Sequence, residues 1–213
     1  GDGGFAAIID SNTQFNTSQN LSIYMTTNGW ASSSSVSPSV GSDSVGFIAP
    51  ITTSPDGTTL YAGSNYLYSM NVSTKVWTAR LGNKKLTTGV LLYIAVAPTN
   101  TSRIYTAGSD GQVWMTNDKG ATWTQINTGT TALPVHSVTS IAVHPTNPNQ
   151  ILVTLGGSNT SHVYLCSDTT AGATRTWTNV SGVAGSATGL PDIAHHTIVY
   201  DPDAPDTTWY TGS

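Results

Sequence analysis

The sequence predicts an all-β protein made of repeated units of four short strands, and three observations support this prediction. Thr, a strand former, fills 35 of 213 positions, whereas the helix former Glu is absent. Runs of four to seven residues rich in Val, Ile, Tyr, Thr and Trp alternate with turn formers such as Pro-Asp-Gly, Pro-Thr-Asn and Asp-x-Gly. These runs recur with a period of about 45 to 55 residues.

Two residue types mark equivalent positions in the repeat. Four prolines are separated by 43, 47 and 57 residues, and three tryptophans by 46 and 54 residues: Pro55, Pro98, Pro145 and Pro202, and Trp77, Trp123 and Trp177. We therefore place the units at about residues 1–46, 47–91, 92–137, 138–192 and 193–213, with the last unit incomplete.

The third unit shows the four predicted strands in order. Its first strand, Tyr93 to Ala97, is continuously apolar and is expected to line a crowded centre. The second begins after Arg103, the third begins at Val113 and the fourth follows Trp123, and these outer strands are expected to alternate between the two faces. Four strands at a period near 45 residues are typical of β-propeller blades. A β-sandwich would not explain the repeat.

One segment carries a family resemblance. Residues 116–123, Thr-Asn-Asp-Lys-Gly-Ala-Thr-Trp, resemble an Asp-box, the S/T-x-D-x-G-x-x-W motif of BNR repeats. These repeats occur in sialidase-like, sortilin-like and xyloglucanase-like propellers. The other copies depart from the motif. The copy around Asp168 has a four-residue insertion, and residues 70–77 place Val72 at the Asp position. Residues 26–30 look like a shortened copy with Asn28 at the Asp position.

The Asp-box is expected to be structural. The Asp118 carboxylate can accept hydrogen bonds from its own turn, Gly120 permits a positive φ, and Trp123 can be buried between sheets. The resemblance implies that these boxes lie at the periphery, away from the ligand face. The predicted structural residues are Thr116, Asp118, Gly120, Trp123, Ser167, Asp168 and Trp177.

The number of blades is smaller than the resemblance implies. The chain holds about four and a half units, and relatives with this motif usually have six or seven blades. We therefore expect the chain to be part of a larger propeller. An alternative is a small closed ring, in which residues 1–5, which resemble residues 109–113, complete the last blade.

Candidate catalytic residues are few. A sialidase would need clustered arginines and a Glu, but Glu is absent, and Arg80, Arg103 and Arg175 occupy different positions of the repeat. Another glycoside hydrolase would need a pair of carboxylates. The candidates are Asp2, Asp43, Asp110 and Asp192, although each lies beside Gly, Ser or Pro, where an Asp often caps a turn.

No metal or cofactor is predicted. The segment Asp201–Asp206 aligns with a turn of the other repeats, so we interpret it as a turn and not as a calcium site. His195 and His196 would point to opposite faces of a strand, and Cys166 has no identifiable base. With seven Lys and Arg residues and a net charge of −4, nucleic-acid binding is excluded, and no apolar run is long enough to span a bilayer.

These observations predict an extracellular or cell-surface protein that acts as a non-catalytic scaffold or binding module for glycan or protein partners, with self-association left open. One alternative is a glycoside hydrolase of the sialidase-like or xyloglucanase-like propeller type with part of its active site outside this chain. Another is a structural subunit of an extracellular assembly. Six sequons are possible N-glycosylation sites: Asn16, Asn20, Asn71, Asn100, Asn159 and Asn179.

Overall fold

A computed structural model describes residues 3–182, 186 and 188–213, so the candidate Asp2 lies outside the described residues. The described residues form eighteen strands in five antiparallel sheets. Four sheets have four strands and the fifth has two, and in every sheet each strand pairs with its neighbour in sequence. We call these sheets blades 1 to 5. They confirm the all-β prediction and the number of four to five blades.

The strand bounds follow the repeat. Blade 1 contains β1 (Ala6–Ile8), β2 (Thr13–Thr17), β3 (Ile23–Thr27) and β4 (Ser34–Ser35); blade 2 contains β5 (Ile51–Thr53), β6 (Thr59–Gly63), β7 (Leu67–Asn71) and β8 (Trp77–Thr78); blade 3 contains β9 (Leu91–Ala97), β10 (Asn100–Gly108), β11 (Val113–Thr116) and β12 (Thr124–Gln125); blade 4 contains β13 (Val138–Val143), β14 (Ile151–Leu155), β15 (Val163–Cys166) and β16 (Thr178–Asn179); blade 5 contains β17 (Thr197–Tyr200) and β18 (Trp209–Gly212). Short 3₁₀ turns lie at Gln19–Leu21, Leu81–Asn83 and Gly172–Thr174.

The blades follow one another around a central groove. The first strands contact each other in chain order, from β1 through β5, β9 and β13 to β17. Two faces result from this arrangement. The upper face carries the turns between second and third strands and the connections from one blade to the next. The lower face carries the turns between first and second strands and the third-to-fourth hairpins, where the Asp-boxes lie.

In blades 2 to 4, the second strand is more deeply buried than the first strand. All five residues of β14 are buried, whereas β9 has a buried residue only at every third position. The first strands line the centre, as expected, but the centre is an open groove and is not crowded. Neighbouring blades cover a second strand on both faces, whereas a first strand leaves part of its surface to the open groove.

Each interface between blades is an apolar core. Between blades 3 and 4, Tyr105 and Met115 of one sheet pack against Ile141 and Val153 of the next, with Trp177 closing the outer end. Each of these side chains is at most 4% exposed. Burying a side chain of this size contributes about 1.5–3 kcal/mol, so the blades are held mainly by these contacts.

Two hydrogen bonds recur from blade to blade. On the lower face, a backbone N–H of the third-to-fourth hairpin donates to a carbonyl at or just before the start of the second strand of the same blade. The pairs are Gly29 to Asn12, Val72 to Thr58, Lys119 to Ser102 and Thr169 to Asn149. Between blades, an indole N–H donates to a carbonyl just after the outer strand of the preceding blade; these pairs are Trp77 to Val36 at 2.8 Å, Trp123 to Leu81 at 3.2 Å and Trp177 to Ile126 at 2.9 Å.

The alternative of a small ring closed by the N-terminus was wrong. The N–H of Gly4 donates to the carbonyl of Thr17, which places this segment in blade 1. Within the described part of the chain, the last sheet contains only β17 and β18.

The Trp177 indole should contribute strongly to stability. In Trp177→Phe, the buried carbonyl of Ile126 loses its donor, and we expect a loss of about 2 kcal/mol in the free energy of unfolding. Trp30→Phe is the matched control because the Trp30 indole hydrogen bond is exposed to solvent, and its effect should stay within about 0.5 kcal/mol. Urea unfolding followed by circular dichroism measures both. Equal effects of the two variants would contradict the proposed role of the indole hydrogen bond.

Candidate functional site: the central groove

The main cavity of the described residues is an open groove of about 370 Å³ between the first strands of four blades. Apolar side chains make up most of its lining, including Tyr93, Val143 and Tyr200. Three of the repeat-marking prolines, at equivalent positions at the ends of β9, β13 and β17, also line it: Pro98, Pro145 and Pro202. In the sequence these prolines mark the repeat, and their equivalent positions are also a signal of a common surface.

The groove offers backbone groups as well as apolar side chains. Each first strand pairs with only one other strand, so its second edge is unpaired and faces the centre. Unpaired strand edges can bind an extended peptide through main-chain hydrogen bonds. The groove therefore combines an apolar surface with unused strand edges.

Packing behind the groove holds its aromatic residues in place. The Tyr93 ring contacts the Phe5 ring edge to face, with centroids 6.3 Å apart, which ties the start of blade 1 to blade 3. The Tyr200 ring meets the His144 ring in the same way at 5.0 Å. His144 Nδ1 accepts a hydrogen bond from the backbone N–H of Asn147 at 3.1 Å, so the buried imidazole has a fixed orientation.

Asp43 is the first of the three described catalytic candidates. It lies in the β4–β5 connection, where its carboxylate receives the Arg80 Nε at 2.9 Å and Nη2 at 2.5 Å and also the Tyr68 hydroxyl. Burial alone would raise the pKa of Asp43, but the hydrogen bonds from Arg80 and Tyr68 and the Arg80 charge outweigh it and lower the pKa. The carboxylate thus ties the long linker of blade 1 to blade 2.

Asp110 and Asp192 are held in a similar way on the same upper face. Asp110 accepts the backbone N–H of Thr88 at 2.8 Å, and such hydrogen bonds lower its pKa although burial acts in the opposite direction. Asp192 accepts the backbone N–H of Asn159 at 2.8 Å and lies 3.1 Å from Nε2 of His162. The Asn159 hydrogen bond, followed by that of His162, lowers the pKa of Asp192.

The three carboxylates have separate partners and depressed pKa values. A glycoside hydrolase needs one carboxyl group whose pKa is raised, so that it can protonate the leaving group. Asp43, Asp110 and Asp192 have the opposite property. Their geometry is that of turn and loop anchors.

The complete Asp-box forms a closed hydrogen-bond network on the lower face. The Thr116 hydroxyl donates to the Asp118 carboxylate at 2.6 Å and accepts the N–H of Gly120 at 2.9 Å. The carboxylate also accepts the N–H of Thr122 at 2.8 Å, and Gly120 has a φ of 92°. The hydrogen bonds of Thr116 and Thr122 lower the pKa of Asp118 to about 2.

The box of blade 4 has Cys166, and not Ser167, at the first position. Cys166 pairs with Ile151 as Thr116 pairs with Ile104, so the predicted assignment of Ser167 is corrected by one residue. Burial raises the pKa of the Cys166 thiol to about 11, which is the opposite of an activated nucleophile. Asp168 accepts both the N–H and the hydroxyl of Thr170.

The box of blade 1 is complete in length, in contrast to the shortened copy expected. Thr26 and Asn28 make the hydrogen bonds that Thr116 and Asp118 make, and Ser32 takes the place of Thr122. Trp30 therefore occupies the glycine position, with a φ of 70°, and Ser33 falls where the other boxes have Trp. The interpretation of Trp30 as the box tryptophan was wrong because the sequence pattern cannot show which residue has the left-handed conformation.

Two of the three arginines lie near Asp168. Arg103 and Arg175 are both buried, and after the hydrogen bonds from Thr170 their charges help to lower the pKa of Asp168. Arg80 lies elsewhere, on Asp43. The three guanidinium groups nevertheless donate to different residues: Arg80 to Asp43, Arg103 to Asn149, and Arg175 to the carbonyls of Thr169 and Thr128.

The His and Asp residues that the sequence analysis weighed as metal ligands do not form a metal site in the described part of the chain. His195 is buried whereas His196 is exposed, and the Asp201 carboxylate accepts two N–H groups of its own turn. The described residues contain no group of three or more His, Cys or Asp side chains that could hold a metal ion. In the same residues, no helix is long and apolar enough to cross a membrane.

The six sequons lie at the surface of the described structure. Asn100 is half-buried, and the other five are exposed: Asn16, Asn20, Asn71, Asn159 and Asn179.

Comparison with known proteins identifies one matching family and several solved structures with the same fold. The family model of Sortilin-Vps10, described as "Sortilin, neurotensin receptor 3", matches residues 69–202. No curated protein sequence matches significantly.

Three solved structures share the fold. A chain of the mitotic checkpoint complex is 13% identical with a TM-score of 0.69, covering 99% of this chain and 58% of that one. An ancestral GH74 enzyme is 19% identical with a TM-score of 0.68, covering 95% and 26%. A structure of YCF48 bound to D1 peptide is 11% identical with a TM-score of 0.60, covering 94% and 58%. The chain thus spans less than two thirds of each of these structures.

The Asp118 network should give a pH-dependent contribution to stability. Because its pKa is lowered from 3.8 to about 2 in the folded state, the ionised carboxylate stabilises the fold above pH 3.8, and this contribution disappears as pH falls towards 2. The difference in unfolding free energy between the wild type and Asp118→Asn should therefore shrink over that range in urea titrations. Asp203→Asn, which removes a carboxylate for which the described structure shows no hydrogen bond, is the control for the loss of one negative charge. A pH-independent difference for Asp118→Asn would refute this role.

Proposed function

This chain belongs to the Sortilin-Vps10 family, and we propose that it is a non-catalytic binding module whose central groove takes an extended peptide segment of a partner protein. The groove between the first strands carries this proposal, because it offers apolar side chains together with unpaired strand edges. Main-chain pairing would supply affinity, and the apolar lining would select side chains.

The comparisons support a peptide ligand. The description of the matching family names neurotensin receptor 3. One structure of the same fold, that of YCF48, contains a bound peptide. The depressed pKa values of Asp43, Asp110 and Asp192 favour binding over glycoside hydrolysis, since none of them suits a general acid. We further propose that the protein acts outside the cell or in the secretory pathway, where its exposed sequons could be glycosylated.

Tyr93 is the residue through which the proposal can be tested. Peptides selected from a random phage library against the chain provide the probe, and a synthetic copy of one selected peptide is titrated by calorimetry. Tyr93→Ala should weaken its binding by about 10-fold, because an aromatic anchor of the groove is lost. Tyr210→Ala is the matched control because Tyr210 is 58% exposed and does not line the groove.

Two results would count against this function. Selected peptides that bind Tyr93→Ala and the wild type equally well would place peptide binding elsewhere. Hydrolysis of a polysaccharide by the chain, lost in Asp43→Asn, Asp110→Asn or Asp192→Asn, would favour the glycoside hydrolase alternative.

A further inference from the structure

The Asp-box hairpin of blade 4 contains four residues more than the complete box of blade 3. Trp123 follows Asp118 by five positions, whereas Trp177 follows Asp168 by nine. The additional residues include the 3₁₀ turn Gly172–Thr174 and lead into Arg175. In repeat proteins, an insertion in a single unit often builds a binding loop. Here the insertion forms one wall of a crevice of about 350 Å³.

The crevice lies between blades 3 and 4. Its second wall consists of β12 and of residues 128–129 in the linker that follows this strand. The two walls are joined by the N–H of Thr130, which donates to the carbonyl of Arg175 at 2.8 Å. Blades 3 and 4 each have a neighbouring blade on both sides. The opening of the crevice therefore does not depend on where the sheets at either end of the array stop.

A buried guanidinium belongs to this crevice. Arg175 is among the lining residues and is only 3% exposed. Its Nε and Nη2 donate to the carbonyl of Thr169 at 3.1 and 2.8 Å, and its Nη1 donates to the carbonyl of Thr128 at 3.3 Å. A guanidinium has five N–H groups, so one N–H remains on each terminal nitrogen, and the described residues supply no acceptor for these two. Two N–H groups on adjacent nitrogens match the two oxygens of a carboxylate.

The local charge balance also favours an anion. Arg103 is 8% exposed, and its buried Nε has no partner in the described structure. It is linked towards Arg175 through the Tyr105 hydroxyl, which lies 2.8 Å from the hydroxyl of Thr169. No carboxylate of the described chain lies within 4 Å of either guanidinium. Asp168 is nearby but exposed, and it balances only one of the two charges. Buried charges are normally paired, so one positive charge is left for a ligand.

From these observations we propose that the crevice binds a small hydroxycarboxylate, such as a sugar acid, at a site separate from the central groove. Arg175 binds the carboxylate through its two remaining N–H groups. Thr124, Gln125 and Thr128 line the crevice and offer hydroxyl and amide groups to the hydroxyls of the ligand. The described lining contains no aromatic and no large aliphatic side chain, which suits a ligand that is polar on all sides. The volume is at the small end of the range for ligand sites, about 300–1,000 Å³.

The experiment titrates the chain with D-glucuronate and follows the backbone amide signals by NMR. We expect saturable shifts that are centred on Gly129 and Gly172, since both residues line the crevice. Glucose has a similar ring and similar hydroxyls but no carboxylate, and it should bind at least about 10-fold more weakly. Sulfate is the control for a simple anion and should also bind more weakly, because its oxygens are tetrahedral and it has no hydroxyls.

Ala173→Asp is the deciding variant. Residue 173 is exposed and lines the crevice, so a carboxylate there should leave the fold intact and weaken glucuronate binding at least about 10-fold by repulsion and by competition for Arg175. Ala121→Asp is the matched control: Ala121 follows the box glycine of blade 3 as Ala173 follows Gly172, it is also exposed, and it lies outside the crevice. It should bind like the wild type.

Arg175→Lys tests the fork geometry, because it keeps the positive charge and loses the paired N–H groups. It should weaken binding by a similar factor, with melting temperature measured in parallel. The proposal is wrong if glucuronate does not shift the crevice signals, if Ala173→Asp binds like the wild type, or if glucose or sulfate binds as tightly as glucuronate. An acidic side chain of a partner is the second source of a carboxylate. Tighter binding of N-acetylaspartate amide than of glucuronate would assign the crevice to such a side chain and overturn the proposal.

Discussion

The structure depends on the burial of the second strands of blades 2 to 4 between two neighbouring sheets. Residues of β14 touch blade 3 with one face and blade 5 with the other, so no blade completes its core alone. This explains why the apolar residues concentrate in the middle of the blades, whereas the first strands stay partly open. It also explains why the groove exists, since the side chains that would fill a closed core are directed between blades and not towards the axis.

The carboxylates show how this protein uses its few charges. Among the described residues, Asp43 has the one Asp–Arg ion pair, and Asp110, Asp118, Asp168 and Asp192 instead accept hydrogen bonds from hydroxyls, backbone N–H groups or an imidazole. Such bonds stabilise the ionised form, and their donors come from turns that would otherwise leave N–H groups unsatisfied. In a chain with 25 Ser and 35 Thr residues, this mode of stabilisation is available in every turn.

The repeat, the four strands per unit and the Asp-box were predictable because each leaves a short local pattern. Asp118, Gly120 and Trp123 lie within eight residues of each other, and the prolines fall at a regular spacing. The groove was not predictable, since Thr52, Tyr93 and Tyr200 are brought together by the rotation between blades. The conformation of Trp30 was not predictable for another reason. The hydrogen bonds of Thr26 and Asn28 impose it, whereas the sequence Gly-Trp suggests the glycine and tryptophan of a shortened Asp-box. Burial of the second strand depends on neighbours on both sides, which a single repeat does not reveal.

The indole hydrogen bonds between blades all run in one direction. Trp77, Trp123 and Trp177 each donate to a carbonyl of the blade that precedes them in the chain. During synthesis, the acceptor of each bond is therefore made before its donor, so a new blade can form this hydrogen bond to the preceding blade as it leaves the ribosome. The order of synthesis therefore favours joining each new blade to the blade before it, and the core between the two is completed only when both sheets are present.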